Sequence, residues 1–283
     1  MALICSIFAL ILVGNLVQAQ YISPIFVSAR QHGLLNMDIS SPQYDGYIEN
    51  PSLIVFSDGH RLNIGGSTGY LHFGINHYSL YTSMTTKSSD GITAGIQGFG
   101  TTFYKEYSIS LSYNKKLGPV LAIGIEQKYQ GNSIPGHENR SATVTHILGS
   151  IILNNYSFSL GIERSFGLKS YRASQDMQYT IGSHLKINKE IAIYLKGQYT
   201  SPELWHSGLG IQNQLYKNID LYLSIQIHPI IYGLGLRLPV NSQFYIDISN
   251  QFQSFLGHHF ALGIQWIWNK TDKEKSQLSI LPL

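Results

Sequence analysis

Charge is scarce in this chain. Of its 283 residues, only 12% are Asp, Glu, Lys or Arg, about half the usual share for a soluble domain. Hydrophobic residues make up 43%, yet the mean hydropathy is −0.02. A water-soluble protein of this length covers its surface with more charge, whereas a protein whose outer surface meets lipid has no such need. Cysteine is scarcer still, with Cys5 alone. It lies in an N-terminal apolar stretch expected to be removed, which excludes disulfides and cysteine-ligated metals from the mature chain. The net charge of +3 comes without any run of Lys or Arg, so nucleic acid is not an expected partner. Beyond that first stretch no run of about 20 apolar residues exists, so helical membrane spans are not expected either.

Residues Ala2 to Val17 are nearly all apolar, and Val17-Gln18-Ala19 is similar to an A-x-A cleavage site. Residues 1–19 therefore read as a signal peptide, with a retained anchor helix as the alternative, since the first basic residue is Arg30. Residues 20–60 do not alternate cleanly. They carry Pro24, Pro42 and Pro51 and the turn-prone pairs Asp45-Gly46 and Asp58-Gly59. An irregular segment is expected there, lying in a lumen as a plug or under its mouth.

What the chain has in abundance is alternation. From residue 61 to residue 268, segments of about ten residues place apolar and polar or small side chains on opposite faces. Many centre on apolar–Gly–apolar: Phe73-Gly74-Ile75, Ala94-Gly95-Ile96, Ile123-Gly124-Ile125, Leu160-Gly161-Ile162, Leu209-Gly210-Ile211, Leu234-Gly235-Leu236 and Leu262-Gly263-Ile264. Strands are expected near 61–67, 70–79, 91–100, 107–114, 120–129, 141–153, 156–165, 177–187, 191–200, 206–214, 220–228, 231–238, 243–251 and 259–268. Ten residues is the length of a tilted transmembrane strand, and single-chain bacterial barrels have even strand numbers. The fold expected is an all-β, antiparallel transmembrane barrel of about 14 strands, or 12 if two weak pieces drop out, followed by a periplasmic tail at 269–283. In 107–114, Tyr107, Ile109, Leu111 and Tyr113 would face lipid, and Ser108, Ser110 and Ser112 the lumen. Short links near 115–119, 154–155, 188–190, 215–219 and 239–242 would be periplasmic turns, and longer ones near 130–140, 166–176, 201–205 and 252–258 extracellular loops. The central glycines would face inward, either to free luminal volume or to relieve crowding in a curved sheet.

Inward-facing charge is sparse. The candidates are Glu126, Lys128, Glu163, Lys186, Lys196, Arg237 and Asp247, with His72 and His184. They would pair across the lumen or tune its selectivity; no ring of one sign points to an ion-selective porin. His77-Tyr78-Ser79 puts a potential base and nucleophile on one face and resembles the H-x-S of outer-membrane phospholipase and lipid A deacylase barrels. In this register the pair faces lipid near the periplasmic rim, and no orienting carboxylate can be named. The eleven histidines are scattered apart from His258-His259, so no metal site or other cofactor is expected.

Two stretches carry a family resemblance. Ile48-Glu-Asn-Pro-Ser-Leu-Ile54 resembles the Asn-Pro-Ala-type motif before the barrel of the long-chain fatty-acid transporter (FadL) superfamily, with Ser52 where Ala is usual. His228-Pro-Ile-Ile-Tyr-Gly-Leu-Gly-Leu-Arg-Leu238 and Leu256-Gly-His-His-Phe-Ala-Leu-Gly-Ile264 are similar to the last strands of its PorV/PorQ-like branch, which is associated with type IX secretion. PorP/SprF-like barrels resemble the chain comparably. The resemblance implies fourteen strands, an N-terminal hatch and outer-membrane residence. It implies either passive transport of a hydrophobic or amphipathic ligand or an accessory role beside secretion-system proteins; an acyl hydrolase is the remaining alternative.

Overall fold

A computed structural model describes residues 28–268, apart from short stretches at 43–44, 58, 70–73, 87–89, 102, 137–138, 170–176, 201–203, 216–217 and 255. The proposed signal peptide and tail lie outside the described residues. Fourteen antiparallel strands form a closed ring in sequence order. They are β1 (His60–Gly69), β2 (Ile75–Thr85), β3 (Asp90–Gly100), β4 (Lys105–Lys116), β5 (Leu121–Ser133), β6 (Arg140–Ile152) and β7 (Tyr156–Lys169), then β8 (Met177–Lys186), β9 (Ile191–Thr200), β10 (Leu204–Gln214), β11 (Asp220–Ile227), β12 (Ile231–Pro239), β13 (Phe244–Gln253) and β14 (Gly257–Trp268). Closure leaves no open edge, because Ile64 of β1 faces both Leu80 of β2 and Ile264 of β14.

The two faces of each strand meet different surroundings. On β4, Tyr107, Ile109, Leu111 and Tyr113 stand exposed on the outside, while Ser108, Ser110 and Ser112 are buried on the inside. Aromatic rings mark the belt's edges. At the proximal rim, where β1 begins and β14 ends, Phe244 stacks on Trp266 at 5.4 Å and Trp266 meets Trp268 at 4.8 Å. At the distal rim, Tyr107 meets Tyr129 at 6.1 Å and Tyr199 meets Trp205 at 5.2 Å. From Phe260 to Trp268 the exposed face of β14 spans eight rises of about 3.4 Å; tilted by about 40°, that is roughly 20 Å of apolar height, close to the roughly 25 Å of such belts.

Two expectations need correction. The second strand runs from Ile75 to Thr85 rather than over 70–79. Gly74 has φ +58, a turn conformation, and Ile75 opens the strand, so this glycine precedes a strand instead of centring one. With β2 ending at Thr85 and β3 beginning at Asp90, the proximal link between them is short, as the other proximal links are. The distal connections expected to be long also contract. β5 runs to Ser133, β6 begins at Arg140 and β14 begins at Gly257, because polar residues such as Gln130 and Asn132 keep pairing across strands after the apolar alternation ends.

The described residues of 28–57 fill the ring from inside. Helix α1 (Ala29–Gly33) is capped by Ser28, whose hydroxyl accepts from Gln31 N at 3.1 Å. Two 3-10 turns follow, at Gly46–Ile48 and Pro51–Phe56. The second is capped by the Asn50 side chain, with Pro51 at its first position. Leu34, Leu35 and Met37 pack with Tyr194, Tyr222 and Ile231 of the wall. Tyr47, Ile48 and Ile54 pack with Tyr81 and Ala122 on the opposite side. The main apolar core of this barrel is thus the contact between its plug and its wall.

Candidate functional site

The plug is tied to the wall by buried charge. Arg30 projects from α1 into a site where its Nη1 donates to Asp38 and, at 3.0 Å, to Asp45. Its Nη2 donates to Tyr194 Oη and Gln212 Oε1, each at 3.3 Å. Across β12 and β13, the cross-strand partners Arg237 and Asp247 form a two-pronged pair at 2.8 and 2.7 Å. Arg237 also reaches Asp45 at 3.7 Å, joining the two sets. All five charged side chains are fully buried.

Two guanidiniums here face three carboxylates. Burial raises the Asp45 pKa, but Arg30 and Arg237 outweigh it and hold the carboxyl below its usual value. Asp38 is pushed up to about 6 by burial, against the pull of Arg30 and with Asp45 and Glu49 adding to the rise. Arg30 is held well above its usual pKa because Asp38 and Asp45 outweigh the cost of its burial. Uncharged bonds complete the attachment. Asn50 Nδ2 donates to Ser150 Oγ at 2.8 Å, Ser224 Oγ to Gly33 O at 2.8 Å, Ser157 Oγ to Ser40 O at 2.5 Å and Gln251 Nε2 to His32 O at 2.6 Å.

The other candidates form a second group nearer mid-height. Lys128 lies 3.3 Å from Glu126 and 3.8 Å from Glu163, and His146 Nδ1 lies 3.5 Å from Glu126. Lys196 reaches across to Glu49 of the plug at 3.6 Å. Lys186 joins neither group among the described ion pairs. His184 accepts or donates at 3.1 Å with Ser157 and stacks on Tyr194 at 5.1 Å. His72 lies outside the described residues. Among the described residues no metal-holding cluster occurs.

His77 and Ser79 sit where the shifted second strand puts them. Both are buried on the luminal face, and Tyr78 is the exposed one, at 65%. A one-residue change of register reverses every side chain of a strand, so the expected lipid-facing placement was wrong. The pair also lies toward the distal rim, since β2 starts there. Its opposite residues on β3 are Phe99 and Gln97. The histidine paired with carboxylates among the described ion pairs is His146, not His77. His77 instead hydrogen-bonds Gln97 of β3 and lies near enough to plug residue His32 to act on its charge; the His32 ring packs edge-on to His259 at 4.5 Å. Burial, with those two histidines nearby, lowers the His32 pKa well below its usual value.

Sequence reasoning singled out Arg237 and Asp247 but missed their plug partners Arg30, Asp38 and Asp45. The available signal was the charge of Arg30, Asp38, Asp45 and Glu49 in a turn-rich segment that precedes a charge-poor barrel.

A closed, belted ring of fourteen antiparallel strands with its own chain inside defines the class: a β-barrel of the outer-membrane type. No family model and no curated protein sequence matches the chain. Solved structures do match in fold. The toluene transporter TodX of Pseudomonas putida aligns over 87% of this chain and 98% of its own, with TM-score 0.62 and 8% identity. The CymD monoaromatic hydrocarbon channel covers 88% of this chain and 99% of its own, with TM-score 0.61 and 9% identity. The Ralstonia pickettii toluene transporter TbuX covers 78% and 93%, with TM-score 0.58 and 8% identity. This chain is similar to those channels in fold alone.

Proposed function

We propose that the protein is a passive outer-membrane channel for a small, uncharged amphipathic solute, closed at rest by its own residues 28–57. The carrying observation is the filled lumen, in which Arg30, Asp38 and Asp45 of the plug share one buried network with Arg237 and Asp247 of the wall. The Asn-Pro motif that resembles the FadL superfamily lies in that plug. The names of TodX, CymD and TbuX, which speak of hydrocarbon channels and toluene transport, are consistent with an uncharged solute. An accessory role in secretion rests on the C-terminal motifs alone, and no geometry favours it.

A disulfide lock tests the gate. A Cβ at Gly263 would lie 3.2 Å from the Ala29 Cβ, close to the roughly 3.5–4.5 Å that a disulfide needs. Ala29→Cys with Gly263→Cys should therefore cross-link the plug to β14. In liposomes, solute flux should stop under oxidation and return with a reductant. Equal flux in both states would show that the plug does not have to move.

A further inference from the structure

On the distal side, the lumen between β3 and β6 holds a cavity of about 90 Å³. Two cross-strand rungs with inward side chains, and the backbone-paired rung between them, build its wall. The outer rung runs Phe99, Glu106, Asn132, Arg140, and the inner one Gln97, Ser108, Gln130, Ala142. All of these residues line the cavity, whereas the anchoring charges lie proximal to it or at mid-height.

The chemistry of this wall is specific. Gln97, Gln130 and Asn132 are primary amides, each able to donate and accept, and Ser108 adds a hydroxyl. Glu106 and Arg140 bring one charge of each sign, so the cavity carries no net charge to select an ion. Phe99 supplies one apolar face. Gln97 is only 8% exposed. Its Nε2 donates to Ser108 Oγ at 3.1 Å, and its side chain also hydrogen-bonds His77 of β2. Gln97 is thereby fixed in place, while Gln130 and Asn132, half-buried on the same wall, keep amide groups for a ligand's hydroxyls.

We propose that this cavity is a binding site for one ring of a neutral saccharide. Pyranose hydroxyls, which both donate and accept, match the amide and hydroxyl groups, and the C–H face of the ring matches Phe99. A hydrocarbon would leave the amides unpaired, and an anionic sugar would set its carboxylate against Glu106 as readily as beside Arg140. At roughly 10–15 Å³ of such space per enclosed water, the cavity holds several waters, which suits one ring and not a chain of them. The inference deepens the channel reading by naming its solute class, but the binding itself requires no flux.

Saturation-transfer NMR on the full chain in detergent tests it, with methyl α-glucoside, galacturonate and toluene as probes. Methyl α-glucoside should bind, and Gln97→Ala and Gln130→Ala should each weaken it about tenfold while heat-modifiable gel migration confirms the fold. Gln127→Ala, whose side chain bonds Thr145 on the exposed outer face, should leave binding unchanged. Absence of glucoside binding, binding indifferent to both luminal variants, or displacement of the glucoside by toluene or galacturonate at equal concentration would overturn the site. Glucoside binding together with flux indifferent to the Ala29–Gly263 lock would keep the site and remove the gated channel. Locked flux without binding would do the reverse.

Discussion

At the residue scale, the inward glycines are the positions where the wall yields room. Of the six strand-centre units, four place their glycine against the plug or its immediate contacts. A Cβ at Gly124 would lie 3.2 Å from Ser52 N, one at Gly210 3.2 Å from Leu34 Cδ2, and one at Gly263 3.2 Å from Ala29 Cβ, while Gly235 Cα would be 3.1 Å from a Cβ at Gly33. Gly95 and Gly161 instead accommodate the neighbouring Tyr81 and His146 side chains. Luminal volume, more than bending, is what these glycines supply. Gly182 is also on this face, and any side chain there would strike Ile39 and Ser40 of the plug. Gly182→Val is expected to cost about 1–3 kcal/mol by overpacking and to raise basal flux by loosening the plug. Gly118→Ala, which would meet no atom within 4 Å, should change neither the urea midpoint nor flux; equal effects from both would refute the packing argument. Arg30→Met removes the cation between two buried carboxylates, a loss on the order of 3–5 kcal/mol for plug docking. Increased protease cleavage within residues 28–57 would reveal it, and wild-type protection would contradict it.

At the element scale, the strands were legible because a period of two in side-chain polarity is imposed directly by the lipid outside and the lumen within. Thirteen of the fourteen expected segments lie within a few residues of the observed strands, from β3 at Asp90–Gly100 to β9 at Ile191–Thr200. The exception, β2, was misplaced because a turn glycine at Gly74 mimicked the strand-centre unit, and that slip also turned His77 and Ser79 the wrong way. The plug offered no period to read. Its order comes from partners more than a hundred residues away, such as Tyr194 and Gln212 for Arg30, and spacing along the chain does not encode them. The plug also has a legible response to pH. His32 resists charging when docked and takes a proton near pH 6.5 when free, so its share of docking stability is lost as pH falls through about 6.5. Asp38 behaves oppositely. Its docked pKa of about 6 exceeds the free value of about 3.9, so the docked plug binds the proton more tightly, and docking gains as pH falls from about 6 to 4. In planar bilayers, His32→Gln should therefore conduct less on acidification from pH 6 to 4, and Asp38→Asn should conduct more. Identical pH profiles for the two variants would rule out this opposition.

At the scale of the whole molecule, the barrel presents the polarity of a soluble protein turned inside out, with serines, amides and charges within and Leu, Ile and aromatic residues on the surface. Exposed Leu111, at 60%, lies halfway along β4, and exposed Leu117, at 55%, lies just past its proximal end. In water, replacing either by Arg would change stability little, because the guanidinium would stay solvated. In a bilayer the cost depends on depth: about 2–4 kcal/mol near the midplane, falling to about 0–1 at the interface. Leu111→Arg should therefore lower the urea midpoint of the liposome-refolded protein substantially, and Leu117→Arg hardly at all. The difference should vanish for any fraction of the protein that is water-soluble. The wild-type chain should partition with the outer membrane and migrate on gels in a heat-modifiable form. Equal and small losses for the two variants, with the unheated and heated bands coinciding, would mean that the apolar belt does not sit in lipid. The plugged lumen would then belong to some other assembly, since an unsheltered apolar belt of this height around a soluble monomer would drive aggregation.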